Sequence, residues 1–260
     1  MFNYTVSVLF ETTILSGTTR MQEAHRIYTC PEFTRAPARD WHPRHDRPHH
    51  YSPSCIDNHP MSRVPITSIY AAAARAYDAG NPDATRQLLL PLAQAGDAAA
   101  QYGLGLLYAF GGDDLPQDYG AARQWFEKAA AQQHGGAQYH LGLLYLDGQG
   151  VMRDDHKAWQ WFERAARQDD ARAQSYLGWM YDNGYGAPRD FATARHWLER
   201  AAAQGDIDAQ YNLGDYYRYG KSVAEDLAIA RQWYERAAAQ GDSDAKRALY
   251  ELRHKTLPHP

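Results

Sequence analysis

Few side chains in these 260 residues belong to the types that do covalent or metal chemistry, and their spacing argues against most of it. Two cysteines, Cys30 and Cys55, share the first sixty residues with His42, His45, His49, His50 and His59. A zinc site drawn from them would need tight ligand pairs on turns, so that the donors converge on one ion. Here each cysteine stands alone, and Pro48 breaks the helix on which His45 and His49 would share a face. Neither a metal nor a cofactor is expected. For nucleophilic catalysis the chain past residue 66 offers no cysteine and no G-x-S-x-G, and Ser68, Ser175, Ser222 and Ser243 have no evident base. His140 with Asp147 is the one arrangement that suggests a hydrolase; His156 and His196 fall at unrelated positions. The glycine pairs Gly148/Gly150 and Gly184/Gly186 follow no strand, so they read as turn glycines and not as a phosphate loop. Glu127, Glu163, Glu199 and Glu235 recur like paired acids. Each lies four residues after Arg123, Trp159, Arg195 or Arg231, which makes three of the four candidates for surface ion pairs on a helix.

The elements that position these groups repeat. AQYGLGLLYAFG, AQYHLGLLYLDG, AQSYLGWMYDNG and AQYNLGDYYRYG begin at Ala100, Ala137, Ala173 and Ala209, in steps of 37, 36 and 36 residues. Between them, Trp125, Trp161, Trp197 and Trp233 recur every 36 residues in segments such as RQWFEKAAAQ and RHWLERAAAQ. A degenerate unit precedes the set and a half-unit, Ala245 to His254, follows it. Each unit carries two helical patterns. The first opens after pairs such as Gly96-Asp97, Gly205-Asp206 or Gly241-Asp242, in which glycine closes one helix and aspartate caps the next. The second follows a turn such as DGQGVMRD or NGYGAPRD. Neither helix buries its apolar stripe alone, so the pairs must stack. Eleven helices and no sheet are expected between about Ile66 and His254.

The 36-residue period, the AQYxLGxxY segment, the glycine-rich turn and the WxExAA helix resemble the Sel-one-like repeat family, relatives of the tetratricopeptide repeats. The likeness runs from about Ile66 to His254. It departs at the one-residue insertion in GGDDLPQD and at Ser222, which stands where the second turn glycine usually falls. The resemblance implies an all-α, right-handed superhelical solenoid of helix-pair repeats that holds partner proteins. Bacterial members commonly serve in signalling, envelope regulation or host interaction, and no family-wide catalytic residue carries over. The expectation is therefore a non-catalytic scaffold or adaptor, a bacterial signalling or regulatory module binding a peptide or helix on its concave face. The alternative is an envelope-associated hydrolase or a small-molecule-binding protein.

Comparing the repeats with one another separates core from candidate surface. With Leu104, Leu141, Leu177 and Leu213 as origin, positions −4, −3, 0, +1 and +4 are Ala, Gln, Leu, Gly and Tyr in all four units. At about 100° per residue these share one helical face. Gly105, Gly142, Gly178 and Gly214 are expected to let backbones approach, against a tryptophan ring. Positions −1, +2 and +6 vary: Gly103, Leu106, Phe110; His140, Leu143, Asp147; Tyr176, Trp179, Asn183; Asn212, Asp215, Tyr219. Apart from Gly103, these are the candidate partner-binding residues, with Phe110, Leu143 and Trp179 as apolar anchors. Because Asp215 occupies the position of Trp179 in another unit, Trp179 is expected to lie in an open groove and Trp197 in the core.

The formal net charge of −4 and the absence of any long Lys/Arg run give no field for gathering nucleic acid. No apolar run reaches the length of a membrane span, and the N-terminus MFNYTVSVLFETTILSG has no positive n-region, so no membrane insertion and a cytoplasmic location are expected. Residues 1–65 read as a disordered or wrongly assigned extension ahead of a start at Met61, 66–254 as the repeat array ending in a capping helix, and 255–260 as a tail. Deleting residues 1–60 is expected to leave the melting temperature unchanged; a loss of several degrees would show that this segment packs on the array.

Overall fold

The computed structural model describes residues 66–255. The readings made above of Cys30, Cys55, the histidines up to His59 and the Met61 start lie outside the described residues. The described chain falls into two compact units, 66–153 and 154–255. Among the described residues there are eleven α-helices, and the only β feature is an isolated bridge between Gly112 and Leu115. The first unit holds α1 (Ile66–Asp78), α2 (Pro82–Gln94), α3 (Ala98–Phe110), α4 (Tyr119–Ala131) and α5 (Gly135–Asp147). The second holds α6 (Asp155–Ala166), α7 (Ala171–Asn183), α8 (Phe191–Ala203), α9 (Ile207–Tyr219), α10 (Leu227–Ala239) and α11 (Ser243–Lys255). Within each unit consecutive helices pack on one another.

Caps set the helix starts. Asp97, Asp170 and Asp206 each accept a hydrogen bond from the backbone N–H three residues on, at 2.8–3.0 Å, and Asp118, Asp154, Asp190 and Asp226 accept the equivalent bond for the second helices at 2.9–3.2 Å. Each such cap satisfies a donor the helix cannot satisfy itself and contributes about 1 kcal/mol. In α5 the cap is His134, whose Nδ1 accepts from the N–H of Ala137 at 3.2 Å.

In each unit the core forms where a second helix presses on the LG pair of a first. A Cβ added at Gly105 would lie 2.4 Å from Phe126 Cδ1; at Gly178, 2.6 Å from Leu198 Cγ; at Gly214, 2.4 Å from Tyr234 Cε1. The close approach expected at these glycines is present, but its partner is the residue after the tryptophan. Phe126, Phe162, Leu198 and Tyr234 are almost wholly buried, whereas Trp125, Trp161, Trp197 and Trp233 are half-buried. Each tryptophan ring carries the cation from three residues on: Lys128 at 3.9 Å, Arg164 at 4.6 Å, Arg200 at 5.1 Å and Arg236 at 4.5 Å. One helical turn brings the cation over the ring, a contact of about 0.5–1 kcal/mol at an exposed site. The expectation that Trp197 is a core residue is corrected accordingly.

Buried glutamines tie three helices together. In the first unit Gln101 donates to the carbonyl of Ala93 on α2 at 3.0 Å and accepts from Gln132, at the end of α4, at 2.9 Å. In the second unit Gln174 and Gln210 donate to Ala166 and Ala202 and accept from Gln204 and Gln240, each of the latter at 2.9 Å. An amide has donor and acceptor at one tip, so a single buried side chain answers both neighbours.

The one-residue insertion of the first repeat is taken up as a small closed loop, where Gly112 and Leu115 exchange backbone hydrogen bonds and Leu115 is buried. Ser222 adopts the left-handed φ of 55° that the missing glycine would have taken, and its hydroxyl donates to the carbonyl of Phe191 at 3.2 Å. The corner after the second helix needs the same conformation, at φ of 91° for Gly205 but at 64° for Gln133, which bears a side chain. Gln133→Gly should therefore raise the unfolding free energy by about 1 kcal/mol, and Gly205→Ala should lower it by a similar amount. Chemical denaturation of both variants checks this; changes of the same sign contradict it.

Candidate partner-binding surface

The three variable rows of the first helices do not share one environment. Row −1 is turned inward: Gly103, His140 and Tyr176 are buried and Asn212 is half-buried. Row +2 is mixed, with Leu106 (1% exposed) and Trp179 (5%) in the interior and Leu143 and Asp215 half-buried. Row +6 is open in all four repeats: Phe110, Asp147, Asn183 and Tyr219 are exposed. Leu106, His140, Tyr176 and the expected anchor Trp179, all candidates for an open groove, are thus corrected to interior residues.

The reasons lie in the neighbours. His140 sits in a nest of rings, stacked on Phe126 at 5.2 Å with Tyr102 at 5.8 Å, Tyr139 at 5.2 Å and the edge of Phe110 at 6.5 Å. A general base must reach its substrate, and a 9%-exposed imidazole packed among rings is poorly suited to that. Tyr176 stacks on Phe162 at 4.8 Å. Trp179 is covered by Tyr185 at 5.0 Å, and its carbonyl accepts from Asn183 at 2.9 Å. Asp215 is tolerated at the same repeat position because the hydroxyl of Tyr234 donates to it at 2.6 Å. Burial and then the Asp215 carboxylate hold the Tyr234 phenol well above its ordinary range, so it keeps the proton it donates. Asn212 is occupied locally, donating to the carbonyl of Asp208 at 2.7 Å.

The open row has a distinct chemistry in each unit. In the first, Phe110 is 46% exposed and Asp147 lies in the same row. In the second, Tyr219 is 55% exposed with the Arg218 guanidinium 5.2 Å from its ring, and Arg218 is held by Glu251 at 2.9 Å. Tyr185, 38% exposed, is an aromatic that comparison of helices alone missed, because it lies in a turn. Of the recurring acids, Glu127 and Glu199 pair with Arg123 and Arg195 as their spacing implies, while Glu163, preceded by Trp159, turns to Arg167 instead. Among the described residues no group of three or more His, Cys, Asp or Glu converges to hold a metal, and no helix is long and apolar enough to cross a membrane.

The family model for the Sel1 repeat matches residues 98–134, 136–170, 171–206 and 207–242. The chain belongs to the Sel1 repeat family. Among solved structures, the Sel1 repeat protein from Oxalobacter formigenes has a TM-score of 0.65 and 30% identity, over 73% of this chain and 79% of that one. The structure of c5321, a protective antigen present in uropathogenic Escherichia coli strains displaying an SLR fold, has a TM-score of 0.67 and 31% identity, over 75% of this chain and 45% of that one. A curated relative, the ERAD-associated E3 ubiquitin-protein ligase component HRD3B of Arabidopsis thaliana, is 43% identical over 56 residues. That match covers 22% of this chain and spans 9% of the relative's length. Both bacterial structures share the all-α helical-repeat solenoid fold, and Sel1 repeats are generally non-catalytic modules of protein–protein interaction.

Two measurements follow from this geometry. Trp179→Ala should cost about 3–5 kcal/mol of stability, and Trp197→Ala about half of that, since its ring is only half-buried; a larger loss at Trp197 in chemical denaturation contradicts the assignment. The second concerns Asp206, whose carboxyl is pushed up to about 7, first by burial and then by the charge of Asp208. The folded protein then holds a proton that the unfolded chain has lost between about pH 4 and 7, so stability falls as pH rises through that window. Asp206→Asn keeps a cap acceptor without the charge. It should gain on the order of 1–2 kcal/mol over the parent near pH 8, and the gain should shrink toward pH 4. A gain independent of pH contradicts the assignment.

Proposed function

We propose that this Sel1 repeat chain is a non-catalytic adaptor that holds a peptide or helix of another protein at an exposed row +6 ring of a first helix, at Phe110 in the first unit or at Tyr219 in the second. The observation that carries the reading is the contrast within one helix. The Leu of every LG pair is wholly buried and never changes, while the residue six positions on is exposed in every repeat and changes each time, as Phe110, Asp147, Asn183 and Tyr219. A position that is exposed in every repeat and differs in each is available to match a partner, and exposed aromatic rings are the side chains that most often anchor one. Phe110 supplies that anchor in the first unit and Tyr219 in the second. The bacterial origin of the two solved relatives supports a regulatory or signalling role of the bacterial kind, and a cytoplasmic location belongs to the same proposal.

The test replaces Phe110 and Tyr219 by serine, singly and together, in the full chain. Denaturation midpoints should change little, since surface substitutions usually stay within about 0.5 kcal/mol. Affinity for a partner identified by co-purification and mass spectrometry should fall by about 1–3 kcal/mol in the variant of the unit that binds it. Undiminished affinity in the double variant contradicts the reading.

A further inference from the structure

Two arginines of the second unit stand over tryptophan rings one period apart, and only the first of them is met by an acid of this chain. Arg200, 5.1 Å from the centre of the Trp197 ring, donates to the carboxylate of Asp169, the corner residue after α6. That carboxylate also accepts from Gln174 at 3.2 Å. Asp169 holds a left-handed φ of 63°, which aspartate tolerates better than most residues with a side chain. One period on, the corner residue after α8 is Gly205, at φ of 91°, and the arginine is Arg236, 4.5 Å from the centre of the Trp233 ring. The register is kept: Arg200 lies 31 residues after Asp169 and Arg236 lies 31 after Gly205. The Gly205 corner still abuts α10, since its carbonyl accepts from Gln240 at 3.0 Å. It has no carboxylate to offer. Arg236 is exposed, and its guanidinium has no hydrogen-bond or ion-pair partner among the described residues.

We infer that Arg236 on Trp233 is a recognition site for the carboxylate of an Asp or Glu side chain of a partner protein. Stacking on a ring fixes the plane of a guanidinium without using any of its five N–H donors. Trp233 is itself held, packed on the core cluster that includes Leu198 and Leu213. The fork is thus oriented and open, and its planar geometry suits a carboxylate bound through two parallel hydrogen bonds. The chain shows the occupant it takes: where the corner residue is an acid, at Asp169, the stacked arginine binds that acid. Above the other corner there is room for an incoming side chain, since a Cβ at Gly205 would meet nothing within 4 Å. The site belongs to a second helix and does not depend on row +6 as a binding surface.

The test follows the Nε–H signals of Arg200 and Arg236 in the full chain labelled with nitrogen-15, each assigned by Arg200→Lys or Arg236→Lys. The probe titrated in is N-acetylaspartate N′-methylamide, with the neutral asparagine analogue as control. Arg236 should shift saturably with the acidic probe and not with the neutral one, while Arg200, already answered by Asp169, should stay still. Gly205→Asp supplies the missing acid within the chain and should weaken the response of Arg236 by at least about fivefold. Gly205→Asn imposes a similar backbone cost without the charge and should leave the response in place. Asp169→Asn should open Arg200 to the probe. The inference is overturned by no saturable shift at Arg236, by a response that Gly205→Asp does not diminish, or by an Arg200 that behaves alike in the parent and in Asp169→Asn. Tighter binding of inorganic phosphate than of the acidic probe also overturns it, since the site would then be one for phosphate.

Discussion

The approach of a second helix to a backbone without side chain sets the geometry of three of the four repeats. At Gly105, Gly178 and Gly214 the facing Phe126, Leu198 and Tyr234 lie where a Cβ would have to be. With the helices this close, the Leu before each glycine is sealed from water, burying an aliphatic side chain worth about 1.5–3 kcal/mol. The same closeness lets one glutamine reach the helix end before it while receiving the amide of the glutamine that ends the helix after it. Tryptophans, by contrast, lie beside the contact with a cation over each ring, a placement that suits a large amphipathic ring at the edge of a core.

This packing explains why variability in a repeat is a poor guide to exposure. Trp179 and Asp215 occupy one repeat position and both are shielded to a degree, because each meets its own surroundings: Tyr185 covers the indole and Tyr234 gives its hydroxyl to the carboxylate. A polar group in such a place is tolerable when its partner is built into the same repeat. Six residues after the leucine the side chain is exposed in all four repeats. There the chemistry varies and the rings of Phe110 and Tyr219 are open.

Much of the fold was legible because its signals are local or periodic. The 36-residue period, the aspartate caps and the turn glycines each declare themselves within a few residues, and the eleven helices follow from them. Ser222 was legible as a departure, and it holds the glycine conformation with a hydrogen bond of its own. The candidate surface was less legible. Row +6, named as part of it, is exposed in all four repeats. Rows −1 and +2 were assigned outward because 100° per residue orders positions around one helix but does not say how wide a sector its neighbours cover. With a neighbour on more than one side, that sector includes His140, Tyr176 and Trp179. Likewise the recurrence of Trp drew attention from the residue after it, which varies among Phe, Leu and Tyr yet is the one that fills the seat. Pairing such as that of Asp215 with Tyr234 is nonlocal, and nothing in the spacing of either residue announces it.

The most direct test of this account is a double-mutant cycle across one seat, with Gly178→Ala measured by chemical denaturation in the parent and in a Leu198→Ala background. If Leu198 occupies the space that the missing Cβ leaves, the added methyl should cost about 1–3 kcal/mol in the parent and close to nothing once Leu198 is truncated. The same cost in both backgrounds would mean that the glycine is required for some other reason, and the seat would no longer explain the packing of the array.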